Sequence, residues 1–107
     1  MLLNMKFLKY YNYQLKGIIG KKGNSNVELY RPFGISVDDN YIYVSDSNND
    51  RIQIFDKFYY NFIRIIGKKG NQFKQFYYPN AISIDNYNIY ICDSYNNRIQ
   101  IIDKSQI

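Results

Sequence analysis

The sequence predicts an all-β protein, and three observations support this fold class. Aromatic residues are frequent, since the 107 residues include 13 Tyr and 7 Phe but a single alanine and no Trp, and aromatic and β-branched residues favour strands. Apolar residues do not keep the 3.6-residue period of a helix in any window of helical length. Short apolar runs separated by turn residues occur in the same order in both halves of the chain, which indicates a repeat architecture.

The second half of the chain repeats the first with a constant offset of 47 residues, as from position 20 to position 67. The motif Gly-Lys-Lys-Gly-Asn at 20–24 recurs at 67–71, and Arg-Ile-Gln-Ile at 51–54 recurs at 98–101. The two copies align without a gap, and a biased composition alone does not produce such a shared register. We therefore treat the repeat as the structural unit.

Each copy is predicted to consist of short antiparallel strands separated by Asp, Asn, Ser, Lys or Gly turns. The predicted strands are 34–38, 41–45, 51–55 and 60–66 in the first copy and 81–85, 88–92 and 98–102 in the second. Four such strands in a repeat of 40 to 50 residues are typical of a β-propeller blade. Because blades stack on one another, both faces of each sheet are expected to be buried, which fits the weak polarity of the strands.

The repeat predicts an incomplete propeller of about two blades. Residues 1–20 are expected to supply the outer strand of a preceding blade, because 13–19 align with 60–66. Residues 21–67 form a complete blade, and residues 68–107 form a second blade that lacks its outer strand. Two blades cannot close a ring. Either the chain belongs to a longer propeller, or copies associate head to tail, in which case three copies supply six blades.

The residues around the second and third strands resemble the NHL repeat. Residues 30–38 read Tyr-Arg-Pro-Phe-Gly-Ile-Ser-Val-Asp, and residues 42–56 read Ile-Tyr-Val-Ser-Asp-Ser-Asn-Asn-Asp-Arg-Ile-Gln-Ile-Phe-Asp; residues 89–103 repeat the latter pattern. The second copy departs from the first at Asn80, Ala81 and Cys92. The resemblance covers nearly the whole chain and implies a propeller of NHL type, usually with six blades. It also implies a binding or scaffold role, since some NHL propellers bind proteins and others bind RNA.

Catalytic chemistry is not expected from these residues. The chain has no histidine and one cysteine, so the commonest general base and the commonest zinc ligand are missing. Some related six-bladed propellers are lyases or hydrolases with a metal in the central channel, and that activity here would depend on residues from other blades. We predict no catalytic residue, no metal site and no cofactor. A truncated gene product without function is a third interpretation.

The Asp-Ser-x-Asn-x-Arg group that follows the second strand of each copy is predicted to have a structural role. Asp and Asn side chains cap tight turns, and an Asp–Arg pair holds a turn with charge-assisted hydrogen bonds. The group occurs in both copies, whereas an active site is normally assembled once. The predicted structural turn residues are Asp46, Asn49, Arg51, Asp93, Asn96 and Arg98.

The charge pattern predicts one basic loop face. The net charge is +5 and the isoelectric point is about 9.2, so acidic partners are compatible with the chain. In an up-and-down blade, the loop before the first strand and the turn after the second lie at the same end. The candidate partner-binding or RNA-binding residues there are Lys21, Lys22, Arg31, Lys68, Lys69, Lys74, Tyr78 and Tyr95, with Tyr30, Phe76 and Tyr77 among them.

A protein is the expected partner of this face, and single-stranded RNA is the alternative. Cations that contact phosphates and rings that stack on bases are what single-stranded RNA requires. The opposite interpretation, in which the tyrosines pack between blades and the lysines only solubilise the rim, stays open. No membrane association is expected, because no apolar stretch approaches the ~20 residues of a membrane span. A single cysteine fits a reducing compartment, and we expect a cytoplasmic location.

Overall fold

The computed structural model describes residues 13–106, which form two antiparallel sheets. The first sheet, called blade 1, contains β1 (Pro32–Val37), β2 (Tyr41–Asp46), β3 (Arg51–Asp56) and β4 (Phe62–Ile66) in that order. The second sheet, called blade 2, contains β5 (Pro79–Ile84), β6 (Asn88–Asp93) and β7 (Arg98–Asp103). Three short 3₁₀ turns follow β2, β6 and β7, at Ser47–Asn49, Ser94–Asn96 and Lys104–Gln106.

The architecture confirms the prediction of an all-β fold built from incomplete propeller blades. Within each sheet, every strand is hydrogen-bonded to the next strand along the chain, and neither sheet closes on itself. Between residues 13 and 106 there is no helix long and apolar enough to cross a membrane.

The strand bounds differ slightly from those predicted. β1 begins at Pro32, two residues before the predicted start, because Pro32 already pairs with Asp46 ahead of a bulge that ends at Ile35. β5 begins at Pro79 for the same reason. The sequence did not predict that these strands begin at proline, because proline donates no hydrogen bond to a sheet and is therefore interpreted as a strand boundary.

The segment 13–20 has no regular secondary structure. A β-strand needs a neighbour to which its backbone can hydrogen-bond, and the segment has no such neighbour among residues 13–106. Its assignment as an outer strand, and with it the division at 1–20, 21–67 and 68–107, therefore stays a prediction. Residues 1–12 of that predicted strand region lie outside the described residues.

The main hydrophobic core lies between the two blades. Tyr43, Ile52 and Ile54 point to one face of blade 1, because side chains alternate across a strand and Tyr43 pairs with Ile54 in register. All three are fully buried. With Ile66 they pack against the facing side of blade 2, which contributes Phe76, Ile89, Ile91 and Ile102. A second cluster, on the other side of blade 1, contains Leu29, Val44 and Phe55.

Polar contacts join the blades at their edges. The Ser47 hydroxyl donates a hydrogen bond to the carbonyl oxygen of Pro79, and the Tyr78 N–H donates one of 2.8 Å to Asp50 Oδ1. At the opposite end of the sheets, Lys104 Nζ lies 2.7 Å from Asp38 Oδ2. The blades are thus held together at both ends of the buried core.

Gly34 lies where β1 closely approaches β5. A Cβ atom at this position would collide with the backbone carbonyl oxygen of Asn80. Because that obstacle is backbone, it cannot move aside without shifting β5. Glycine at this position therefore sets how closely blade 2 packs on blade 1.

We expect Gly34→Ala to lower the free energy of unfolding by about 1–3 kcal/mol, since an extra methyl group forces the blades apart. The measurement is urea unfolding followed by tyrosine fluorescence. Ser36→Ala, two residues further along β1, is the matched control and should change the stability by less than about 0.5 kcal/mol. Equal effects of the two substitutions would contradict this account of Gly34.

Candidate partner-binding loop face

A buried aspartate organises the loop end of each blade. Asp46 is fully buried and accepts hydrogen bonds from the Tyr30 N–H at 2.7 Å, from Arg51 Nε at 2.7 Å and from Asn49 Nδ2 at 3.0 Å. A carboxylate accepts several such bonds at once, and each charge-assisted bond is stronger than a neutral one. In blade 2 the same contacts are made by Asp93 with Tyr77, Arg98 and Asn96.

Arg51 holds the loop that precedes β1. Its guanidinium donates to the carbonyl oxygens of Asn24, Ser25 and Glu28 at 3.0, 2.8 and 2.9 Å. The rigid fork of donors in arginine suits this arrangement. Arg98 makes the equivalent contacts in blade 2, with the carbonyl oxygens of Asn71, Gln72 and Gln75. The predicted turn residues therefore sit together and connect each loop to the ends of β2 and β3 or of β6 and β7.

Gln53 and Gln100 complete these networks and were not singled out from the sequence. Gln53 Nε2 donates to the Glu28 carbonyl oxygen at 2.6 Å, and Gln53 Oε1 accepts from the Val27 N–H at 3.1 Å. Gln100 makes the same two contacts with Gln75 and Lys74. A glutamine at the same place in both copies, within an otherwise apolar strand, was the available signal.

Four aspartates have a lowered pKa, and two of them, Asp38 and Asp93, are partly or fully buried. For Asp93, burial raises the pKa, but hydrogen bonds from the Tyr77 N–H, Asn96, Arg98 and Gln100 outweigh it and lower the pKa. For Asp38, burial is likewise outweighed by the hydrogen bonds from Lys104 and Tyr43 and from two backbone N–H groups, so the pKa lies far below its usual range. Both carboxyl groups are therefore ionised at neutral pH and prefer the folded state in that form.

Tyrosine rings and lysine side chains lie next to each other at the loop end of both blades. Lys22 Nζ lies 5.1 Å from the centre of the Tyr30 ring, and Lys69 Nζ lies 4.7 Å from the centre of the Tyr77 ring. Both distances are within the range of cation–π contacts. We call this set the tyrosine–lysine surface; its members are Lys22, Tyr30, Lys69, Tyr77, Tyr78 and Tyr95.

Tyr95 lies at the centre of the aromatic part of this surface. Its ring meets the Tyr77 ring edge to face and stacks on the Tyr78 ring at 19°, in both cases with ring centres 5.0 Å apart. The Tyr95 N–H also donates to the Tyr77 carbonyl oxygen at 3.1 Å, which holds the ring close to its neighbours. Tyr95 remains 60% exposed, so the cluster presents a large aromatic surface to solvent.

The other predicted residues surround this cluster to different extents. Lys21 is exposed and lies 3.8 Å from Glu28 Oε2, whereas the equivalent acceptor in the second loop is the neutral Gln75. Lys68 and Arg31 are exposed, and Lys74 Nζ lies 5.6 Å from the centre of the Phe73 ring. The second loop is therefore the more basic of the two.

The expectation that Phe76 belongs to the exposed surface is wrong. Phe76 is fully buried in the core between the blades, and its ring lies directly over Gly67. The absence of a side chain at Gly67 leaves the room that the ring fills. An aromatic residue in a basic loop can thus face inward, and the sequence does not reveal which of three successive rings does so.

No group of three or more His, Cys, Asp or Glu side chains is placed to share a metal ion within residues 13–106. Cys92 is half-buried, and its sulfur forms no disulfide in the described part of the chain. The expectations of no metal site and no catalytic residue stay predictions.

The fold and the two loop networks define a repeat protein of the β-propeller class, with an aromatic and basic loop face. The family model described as NHL repeat matches residues 29–55 and 76–102, which together make up just over half of the chain. The chain belongs to the NHL repeat family. NHL repeats are found in propeller scaffolds and generally mediate protein interactions. No curated protein matches the chain.

We expect Arg51→Lys to lower the free energy of unfolding by about 2 kcal/mol, because an ammonium group cannot reach all four acceptors of the guanidinium. Urea unfolding measures the effect. Arg64→Lys is the control, since Arg64 is exposed and makes a single bond of 3.3 Å to the Gln106 carbonyl oxygen. If both variants lost the same stability, Arg51 would not be the residue that holds the loop.

Stability should also fall in acid. Asp38 and Asp93 have pKa values lowered from 3.8, so the stability that they contribute is fully present above about pH 5 and is lost as the pH falls through the folded-state values. We expect a loss of about 1–3 kcal/mol between pH 6 and pH 3, measured by urea unfolding at each pH. Asp38→Asn should make this dependence shallower, and an unchanged slope would contradict the role of Asp38.

Proposed function

We propose that this chain is a non-enzymatic binding module that recognises a protein partner through its loop face. The observation that carries the proposal is the tyrosine–lysine surface, in which exposed rings and ammonium groups lie side by side at one end of the sheets. Tyrosine provides a large contact area at a low cost in side-chain entropy, and it is enriched in protein interfaces. The partner therefore makes apolar as well as polar contacts there.

The charges of the face select the chemistry of the partner. The net charge of the chain is +5, and Lys68, Lys69 and Lys74 lie in the second loop, next to the aromatic cluster. Complementary charge increases the rate of association and excludes partners of like charge. An acidic segment with aromatic or aliphatic side chains fits this combination, because its carboxylates meet the lysines while its apolar groups pack on Tyr95.

Several contacts favour a protein over single-stranded RNA. A base stacks on an exposed ring face, but one face of Tyr78 is covered by Tyr95, and Tyr30 and Tyr77 each have a lysine ammonium over the ring. Tyr95 is the most exposed of these rings, at 60%. RNA binding remains the alternative because cations and stacked rings are its usual requirements.

The loop networks support binding rather than catalysis. Asp46 and Asp93, the buried carboxylates at this end, each accept four or more hydrogen bonds from their own blade. A general base needs a lone pair directed at the proton it removes, and these lone pairs are directed at the turn. The networks hold the loops in place, which keeps the exposed side chains ready for a partner.

The test is a fluorescence-anisotropy titration with a short labelled peptide of alternating glutamate and phenylalanine. We expect Tyr95→Ala and Lys69→Glu each to weaken binding about tenfold, which corresponds to about 1.4 kcal/mol. Tyr87→Ala is the matched control for the first variant, because Tyr87 is a more exposed tyrosine in the turn between β5 and β6. Arg64→Glu is the control for the second, since it changes the charge equally on the outer strand.

A labelled oligouridylate serves as the competing probe. If it bound with an affinity that fell steeply with salt, as phosphate contacts require, while the peptide did not bind, the face would be an RNA-binding surface and the proposal would be wrong. Equal peptide affinities for the wild type, Tyr95→Ala and Tyr87→Ala would also contradict it.

A further inference from the structure

Among residues 13–106, nothing covers the apolar outward face of blade 2. In blade 1, Ile52 and Ile54 are fully buried because blade 2 packs on them. Their equivalents in blade 2, Ile99 and Ile101, are 64% and 56% exposed. The side chains are isoleucines in both blades, so the difference in exposure arises from what packs against them. Two large aliphatic side chains on a sheet face, both mostly in solvent, mark a surface that binds another molecule.

The opposite face of blade 1 shows the complementary exposure. Ile82 and Ile84 of blade 2 pack against the core between the blades, whereas their equivalents Ile35 and Val37 are 64% and 49% exposed. An open groove of about 660 Å³ runs along this face of blade 1. Within the part of the chain that the structure describes, blade 1 thus lacks the neighbour that blade 2 has, and blade 2 lacks the neighbour that blade 1 has.

We propose that these two faces bind each other in successive copies of the chain, head to tail, so that the contact between copies repeats the contact between blades 1 and 2. Such a heterologous contact closes into a ring when the rotation between copies permits. Propellers typically have four to eight blades, and three copies with two blades each give six. This inference concerns the end faces and is independent of what the loop face binds.

The residues that form polar contacts between blades 1 and 2 have equivalents on the two faces that would meet in the contact between copies. Within the chain, Ser47 donates to the Pro79 carbonyl oxygen and Asp50 accepts from the Tyr78 N–H. At the outward face of blade 2 the equivalent groups are Ser94 and Asn97, whose side-chain oxygen is also an acceptor. Their expected targets in the next copy are the Pro32 carbonyl oxygen and the Arg31 N–H.

An ion pair recurs in the same way. Lys104 Nζ reaches Asp38 of the other blade at 2.7 Å. The equivalent residues are Lys57 and Asp85, which are both exposed. Asp85 already accepts from the Tyr90 hydroxyl at 2.7 Å, as Asp38 does from Tyr43. Asp85 of one copy is therefore expected to bind Lys57 of the next.

The segment 17–20 packs against blade 1 in the same way that β4, the outer strand of blade 1, packs against blade 2. Gly20 contacts Leu29 as Gly67 contacts Phe76, and Lys22 forms an isolated bridge with Leu29 as Lys69 does with Phe76. Ile19 packs on the Leu29 cluster, in the place that Ile66 takes in the core between the blades. The segment is thus in the position of an outer strand, and neither sheet formed by residues 13–106 pairs with it.

The sheet that it would join is blade 2 of another copy. β4 pairs with β3 through Ile52 and Ile66, Gln53 and Ile65, and Ile54 and Arg64. By the 47-residue offset, the pairs expected between copies are Ile99 with Ile19, Gln100 with Ile18, and Ile101 with Gly17. This pairing would give blade 2 its fourth strand and would satisfy the unpaired edge of β7, which otherwise invites association.

One position shows that the two contacts are not identical. Gly34 allows β1 to approach Asn80 closely, but its equivalent in blade 2 is Ala81. The methyl group of Ala81 requires β5 and the β1 of the next copy to lie slightly further apart. Ala81→Gly should therefore tighten the association.

The first experiment is light scattering over a dilution series of the whole chain. We expect a discrete species of roughly three times the 12.9-kDa chain mass, which dissociates on dilution. Ile101→Lys should abolish it, because a charge on this face cannot be buried without a partner. Ile63→Lys is the control, since Ile63 is an exposed isoleucine on the outer strand β4, and it should leave the mass unchanged.

Crosslinking tests the register of the pairing. Opposed residues in antiparallel strands lie within the Cα separation that a disulfide spans, so Ile19→Cys combined with Ile99→Cys should give covalent oligomers on oxidation. The background is Cys92→Ser, which introduces the residue that blade 1 has at the equivalent Ser45. Ile19→Cys with Ile101→Cys, a pair displaced by two residues, should give at least tenfold less product.

A chain that remains at the monomer mass at every concentration would overturn the proposal and would leave the two faces to blades of another protein. A larger species that Ile101→Lys does not disturb would overturn it as well, because the contact would then lie elsewhere. Circular dichroism of Ile101→Lys checks that the variant keeps its strands, as expected for a side chain that is already mostly in solvent.

Discussion

The structure depends on one constraint. Each sheet is apolar on both faces, so both faces must pack against other parts of a protein to be shielded from water. A sheet that faces water on one side alternates polar and apolar residues along its strands. Strand β6 does not, because Ile89 and Ile91 point to one side while Tyr90 and Cys92 point to the other. The core between the blades covers one face of each sheet. Stacking further blades is the arrangement that covers the rest.

A second requirement is that the loops at one end of the blades stay rigid although they carry no regular secondary structure. Asp46 and Asp93 meet this requirement, since each gathers a loop N–H, an arginine, an asparagine and a glutamine around one buried carboxylate. Backbone carbonyls in the preceding loop are satisfied by Arg51 and Arg98 instead of by water. The loops that carry the exposed tyrosines and lysines are therefore rigid.

The sequence predicted the strands and the repeat because both follow from local patterns. The offset of 47 residues and the short apolar runs located all seven strands, with errors of one or two residues at their ends. The turn role of Asp46 and Arg51 was accessible because such residue types have few other uses in a tight turn.

The sequence could not show whether an individual ring faces the core or the solvent. It also could not show what packs against each face of a sheet. Phe76, Tyr77 and Tyr78 are consecutive, and backbone geometry turned Phe76 into the core and left Tyr77 exposed. Tyr78 stacks on Tyr95, 17 positions later in the chain, and no local pattern encodes such a contact. The contacts of residues 17–20 with blade 1 likewise depend on the tertiary arrangement.

The differences between the two copies separate the two surfaces of the molecule. Some residues that join the blades are the same in both copies, as Ser47 and Ser94 or Lys57 and Lys104 show, although Asp50 and Gly34 are replaced by Asn97 and Ala81. At the loop end the surface itself changes, because Arg31 and Asn48 of blade 1 are replaced by Tyr78 and Tyr95 in blade 2. The cluster of Tyr77, Tyr78 and Tyr95 therefore occurs once within residues 13–106. In a ring of copies it would recur at every second blade, and a partner with repeated acidic segments would then gain affinity from binding several copies at once.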